Sequence, residues 1–218
     1  MTAVTMSRWV GKFPSLKLGR MVGYQSLIER DFIYLLDFDA TVTTYAEQPF
    51  SLHYKDGSKQ RRYTPDFSFT RHNQTYLVEC KHHDFMQPEE NRLKWAAAQQ
   101  WCDERGAVFV VVTEAAIRAG HRLENVKLLT DYARYAVAES TQIDILQAVT
   151  RAAPRTVADL MMAVSPAHPQ TAITPILHMV YHRQLFIPLD EAAITVSSPV
   201  MLGQASGCQA GLPAGLFA

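Results

Sequence analysis

Three cysteines are all that the 218 residues contain, and Cys80, Cys102 and Cys208 show no C-x-x-C spacing. That excludes a disulfide framework and a cysteine-based zinc site, and leaves three reduced thiols. No run of about 18 consecutive apolar residues occurs, which argues against a membrane-spanning helix. Met1 to Arg20 lacks an apolar stretch of signal-peptide length, so a cytoplasmic location is expected. A charge excess is missing too: 21 Lys and Arg stand against 21 Asp and Glu. A protein that grips nucleic acid unaided is normally basic. Any tight hold on DNA is therefore local or supplied by a partner.

What is present is a hydrophobic fraction of 48%, enough to build one medium domain or two small ones. Basic charge is concentrated locally. Arg8, Lys12, Lys17 and Arg20 precede the first acid, Glu29, and Arg61 and Arg62 are adjacent. Residues 1–20 read as a basic N-terminal arm, either solvated or contacting phosphate.

Residues 25–36 carry Leu27, Ile28, Phe32, Leu35 and Leu36 near helical spacing, with Ser26 and Glu29 placed for a capping box. Strands are expected over 41–50, 51–54, 62–70 and 76–81, with turns at 55–58 and 72–74. A helix is expected from Pro88 to about Gly106, then a buried strand over 107–113, then helical segments to about 138. This order predicts an α/β sandwich. A second unit is expected to start near Ser140, with helices over 142–151, 157–163 and 170–184 and short strands over 185–189 and 193–197. Helices closing on two strands resemble a winged helix-turn-helix. The Gly, Ala, Ser and Pro residues that follow read as a disordered tail. The predicted domains are thus 1–20, 21–139, 140–200 and 201–218.

The chemistry is expected at Asp66, Glu79 and Lys81. A strand has a side-chain period of two, so Glu79 and Lys81 share a face while Cys80 points away. If the strands carrying Asp66 and Glu79 pair through the short turn at 72–74, the two carboxylates converge. Paired carboxylates suit magnesium, a hard cation that takes oxygen ligands, and the backbone carbonyl of Cys80 is a further candidate ligand. Such an ion activates water and polarises a phosphodiester, and Lys81 would offset charge on the phosphate. The bare pattern arises by chance on the order of once per chain of this length. Its placement on successive strands raises it above a surface salt bridge between Glu79 and Lys81. On spacing alone Glu29 is a capping-box residue. His82 and His83 read as polar strand-end residues, with metal ligation or proton transfer as the alternative. His178 and His182, four apart on one helix, read as surface or phosphate-contacting residues rather than a metal pair. Trp95 and Trp101 read as core anchors.

Four motifs in order, Gln25-Ser-Leu-Ile-Glu29-Arg-Asp-Phe, Tyr45-Ala-Glu-Gln-Pro-Phe50, Tyr63-Thr-Pro-Asp66-Phe and Leu77-Val-Glu79-Cys-Lys81, resemble the TnsA endonuclease family over roughly residues 20–115. The resemblance implies a restriction-endonuclease-like PD-(D/E)xK nuclease core with a C-terminal winged-helix-like domain. It implies that Glu29, Asp66, Glu79 and Lys81 form the active site, with Glu29 joining Asp66 and Glu79 as a metal ligand for Mg2+, for which Mn2+ substitutes. It implies cleavage of the 5′ strands at transposon ends in double-stranded DNA, beside a TnsB-like transposase and a TnsC-like ATPase. A stand-alone restriction or repair nuclease of the same fold, and a catalytically silent DNA-binding adaptor, are the competing readings. Residues 140–218 hold three Lys or Arg against four acids, so that domain is expected to dock protein, the ATPase or the transposase, rather than grip DNA.

Overall fold

The computed structural model describes residues 10–86, 88–152, 155–203, 212 and 216. Packing divides the chain after Arg118, into one unit up to that residue with the C-terminal end and a second over Ala119–Gln209. The sequence had placed this boundary at 139–140.

In the first unit, β1 (Gly11–Pro14) and β2 (Met21–Tyr24) form an antiparallel pair and lead into α1 (Leu27–Phe38). Helix α1 forms where Ser26 caps its first turn, and it buries Phe32, Ile33, Leu35, Leu36 and Phe38. The loop before β2 wraps Asp37, which accepts hydrogen bonds from the Ser15 hydroxyl, the Leu16 and Lys17 N–H groups and the Tyr45 hydroxyl. Two basic residues of the N-terminal segment are tied to the fold. The Lys17 ammonium donates to the carbonyls of Asp39 and Val42, and Arg20 grips Glu47 through two 2.6 Å bonds. Arg8 lies outside the described residues.

A four-stranded sheet follows, built from β3 (Val42–Glu47), β6 (Phe67–Arg71), β7 (Gln74–Lys81) and β8 (Val108–Thr113) in that spatial order. Only β7 and β8 run parallel, joined by α2 (Pro88–Asp103). Phe32 of α1 packs edge-on against Phe67 and Phe69, whose rings face one side of the sheet. Leu77, Ala98 and Cys102 close the other side under α2. The strand expected over 62–70 is two strands. Residues 64–66 leave the ladder, and β4 (Leu52–Asp56) and β5 (Lys59–Tyr63) pair as a separate hairpin. Strand β8, expected to be fully buried, is the outer strand of the four, and only Val112 in it is buried. The unit ends with the short helix α3 (Glu114–Ile117).

The second unit holds α4 (Arg122–Tyr132), α5 (Glu139–Ala152), α6 (Val157–Val164), α7 (Ile173–Tyr181) and an antiparallel pair, β9 (Leu185–Phe186) with β10 (Met201–Leu202). Helix α4 packs on α7, which is why it belongs here rather than with the sheet. The second strand forms at 201–202, not at 193–197. The earlier segment has other uses for its backbone: Ile194 N–H donates to buried Asn125, and the carbonyls of Val196 and Ser198 accept from Ala158 and Val157 at the start of α6. The tail read as disordered falls mostly outside the described residues. Within it β10 is paired, and buried Leu212 donates its N–H to Asp39 at 2.9 Å.

Candidate active site

The hairpin of β6 and β7 sets the site. Its turn, His72 and Asn73, has positive φ at both residues (48° and 61°), the geometry of a type I′ turn that matches the twist of paired strands. The resulting register pairs Phe67 with Val78. One residue before the ladder, Asp66 donates its N–H to the Val78 carbonyl at 3.0 Å, beside Glu79 on β7. The proline before Asp66 cannot donate to a ladder, so β6 begins only at Phe67. Asp66 therefore sits at the strand's mouth, where its Oδ2 accepts the Cys80 N–H at 2.7 Å. Within a strand the N–H and C=O of one residue face the same neighbour. The Cys80 carbonyl is thus directed toward Asp66 as well.

Glu79 is buried and held at both oxygens. Tyr63 donates its hydroxyl to Oε2 at 2.8 Å, and Lys94 of α2 donates to Oε1 at 2.8 Å. Lys94 also lies 5.2 Å from the Tyr63 ring centroid and 5.9 Å from that of Trp95. Sequence reasoning missed both Tyr63 and Lys94. Tyr63 carried a signal, since it stands three residues before Asp66. Lys94 carried none, because only the packing of α2 across β7 brings it to Glu79. Lys81, two residues on from Glu79 and on the same face, has no hydrogen-bond or ion-pair partner among the described residues.

Glu29 enters from α1. The Ser26 hydroxyl accepts its N–H at 3.1 Å, but its own carboxylate turns back to the Gln25 N–H at 2.8 Å, not to that of Ser26. The capping box is thus half formed. Asp66, Glu79 and Glu29 sense one another. Burial, then the charges of Glu79 and Glu29, push the Asp66 carboxyl up to about 8, against the Cys80 N–H and Lys94, which lower it. Burial raises Glu29 in the same way, with Glu79 adding to it. The Cys80 thiol is pushed well up by burial and by all three acids.

The acids are not drawn tight. Among the described residues, His82, His83 and Asp84 form the one group of three metal-binding side chains whose ligand atoms lie within 4.8 Å of one another. That exposed group is already internally satisfied. His83 bonds Glu114 through its N–H and Nδ1, and its Nε2 lies 2.9 Å from Asp84. The two histidines thus tie the end of β7 to the start of α3. His178 and His182 are likewise structural. They meet the carbonyls of Tyr132 and Ala133, the exposed end of α4, at 3.3 and 3.0 Å. Trp101 packs on Phe50 with centroids 4.4 Å apart, at the margin of the core under α2.

Hard oxygen donors and mutual repulsion among Glu29, Asp66 and Glu79 fit a divalent cation. A buried acid cluster with a lysine beside it, at the mouth of a mixed sheet, has the makings of a nuclease centre. Residues 39–114 match the family described as TnsA-like endonuclease N terminal. The matched segment contains Tyr63, Asp66, Glu79, Lys81 and Lys94; Glu29 precedes it. The mixed α/β unit is consistent with a restriction-endonuclease-like fold. No curated protein matches the chain.

Proposed function

We propose that the protein is a magnesium-dependent DNA endonuclease subunit that hydrolyses the 5′ strands at transposon ends, beside a TnsB-like transposase and a TnsC-like ATPase. The observation that carries the reading is the mooring of Asp66 on β7, to the Val78 carbonyl and the Cys80 N–H on either side of Glu79, inside the segment matched to the endonuclease family. Asp66, Glu79 and the Cys80 carbonyl are the ligands for magnesium, with Glu29 closing the set from α1. Bound there, the ion supplies positive charge that polarises the phosphodiester and makes water a better nucleophile. Lys81, without a partner among the described residues, receives the scissile phosphate and offsets the charge that builds on it. Tyr63 and Lys94 hold the two oxygens of Glu79 in place, so its carboxylate meets the ion in a fixed orientation.

The second unit reads as a winged-helix-like module with α7 as its third core helix. Its low basic charge favours protein docking over DNA. A salt-sensitive grip on duplex DNA by this module alone would count against that assignment. The test of the central reading is strand cleavage of transposon-end DNA by the full chain with its transposase and magnesium. Asp66→Ala and Lys81→Ala each abolish cleavage while the protein still unfolds in one cooperative thermal transition. Cleavage surviving in either purified variant would overturn the site.

A further inference from the structure

The hairpin of β4 and β5 stands outside the main sheet, paired only with itself. Its two faces differ completely. On one, Leu52, Tyr54 and Tyr63 pack toward α2 and the core beneath it, and Arg61 reaches Asp56 at 3.3 Å. On the other, the register sets His53 across from Arg62 and Lys55 across from Gln60. All four are exposed, and no acid lies on that face. Lys59, exposed at the tip, stands across from Asp56 and so belongs to the first face. His53, Lys55, Lys59 and Arg62 have no hydrogen-bond or ion-pair partner among the described residues. In a chain with no net charge, this is a local surplus of free cations on a projecting two-stranded ribbon.

The position of the ribbon is informative. Gly57, with φ near +60°, makes a two-residue turn that keeps the ribbon short and stiff. Arg62 adjoins Tyr63, whose hydroxyl holds Glu79, and lies four positions before Asp66. An extended chain of that length spans at most about 14 Å. At roughly 3.4 Å of rise per nucleotide, this places Arg62 within about four nucleotides of a phosphate held at Asp66. Lys59 lies about 10 Å further out along the strand.

We infer that the outer face of this ribbon, Lys55 and Arg62 with His53, together with Lys59 at its tip, is the duplex DNA clamp that seats the backbone beside the cut. The inference rests on the nuclease reading above and adds the surface that holds the substrate. Two cations of one strand and one of its partner contact phosphates, so the clamp grips without reading sequence. Selection of the transposon end then falls to other elements of the assembly.

The test measures binding of the full chain to a labelled duplex of about 30 base pairs over a range of salt, without divalent metal so that DNA stays intact. Each lost phosphate contact lowers the slope of log affinity against log salt by about 0.9. The triple variant Lys55→Gln, Lys59→Gln, Arg62→Gln is therefore expected to lose about two to three units of slope and at least tenfold in affinity. The Arg62→Gln single variant should lose about one unit and is the safeguard against misfolding of the triple. Arg151→Gln with Arg155→Gln, in the second unit, removes equal charge per site and should leave the slope unchanged. An unchanged slope and affinity in the ribbon variants, or loss only of binding to a protein partner, overturns the clamp. Failure of the nuclease reading looks different: ribbon-dependent DNA binding would persist, while neither metal nor transposase would bring cleavage. Absence of any DNA binding by the unmodified chain overturns the clamp as well.

Discussion

Glu79 has three neighbours that the pattern Asp66, Glu79, Lys81 never names: Tyr63, Lys94 and, across the strand mouth, Glu29. Tyr63→Phe and Lys94→Met each release one oxygen of Glu79. Loss of such an orienting partner costs about ten- to a hundredfold in metal affinity. Calorimetric titration with Mn2+ reads this directly, and an unchanged affinity in both variants would remove their positioning role. Asp66 adds a dependence on pH. Its carboxyl is raised from 3.8 to about 8 in the metal-free protein. Between those values the native state keeps a proton that the unfolded chain has lost, so stability is greatest in acid and falls as pH rises toward 8. Asp66→Asn should flatten that fall in thermal melts taken without metal. Because the cation needs the ionised form, its binding to the unmodified protein should release protons below pH 8, seen as a heat that varies with the buffer. At this scale the sequence was legible where a period decides: Glu79 and Lys81 fall on one strand, two residues apart, whereas Asp66 stands just outside the ladder. It was silent about Lys94, a helical residue fifteen positions from its partner, because tertiary packing alone joins them.

Strands and helices were legible wherever local chemistry forces the backbone. The turns at Gly57 and at His72–Asn73 fix two hairpins, and Ser26 begins α1 where its hydroxyl can take an N–H. Reading failed where a segment of strand-like composition had a better use for its hydrogen bonds. Residues 193–197 are β-rich enough to suggest a strand, yet Val196 and Ser198 cap α6 and Ile194 serves Asn125. Asn125 is 2% exposed and makes three hydrogen bonds, to Leu189, Ala192 and Ile194, each at 2.8 Å. Asn125→Ala leaves those three backbone groups without a partner. At about 1 kcal/mol each, the variant should lose roughly 2–3 kcal/mol in chemical denaturation. Thr156→Ala removes the side-chain half of a complete capping box on α6 and should cost about 1 kcal/mol. If the Asn125 variant proved no weaker than the Thr156 variant, the 189–194 segment would not be anchored as described.

At the scale of the whole chain the two units differ in what they offer a partner. The sheet unit carries the acids, Lys81 and the cationic ribbon, all within the stretch before Arg118. The other unit, Ala119–Gln209, has no basic surplus: Arg122, Lys127, Arg134, Arg151, Arg155 and Arg183 stand against seven acids. A chain with no net charge then has one short ribbon and little else with which to hold a polyanion, and a few phosphate contacts give weak, salt-sensitive binding. Strand cleavage by the isolated protein is accordingly expected to be slow and to fade between about 50 and 200 mM salt. A transposase already bound at the transposon end supplies the missing affinity by raising the effective concentration of substrate at Asp66. Adding it should restore cleavage at the higher salt and confine the cut to one strand. The ribbon variants should be rescued in part by the same addition, because tethering replaces affinity, whereas Asp66→Ala should not be rescued at all. Efficient, salt-resistant cutting of both strands by the protein alone would instead identify a stand-alone nuclease of the same fold.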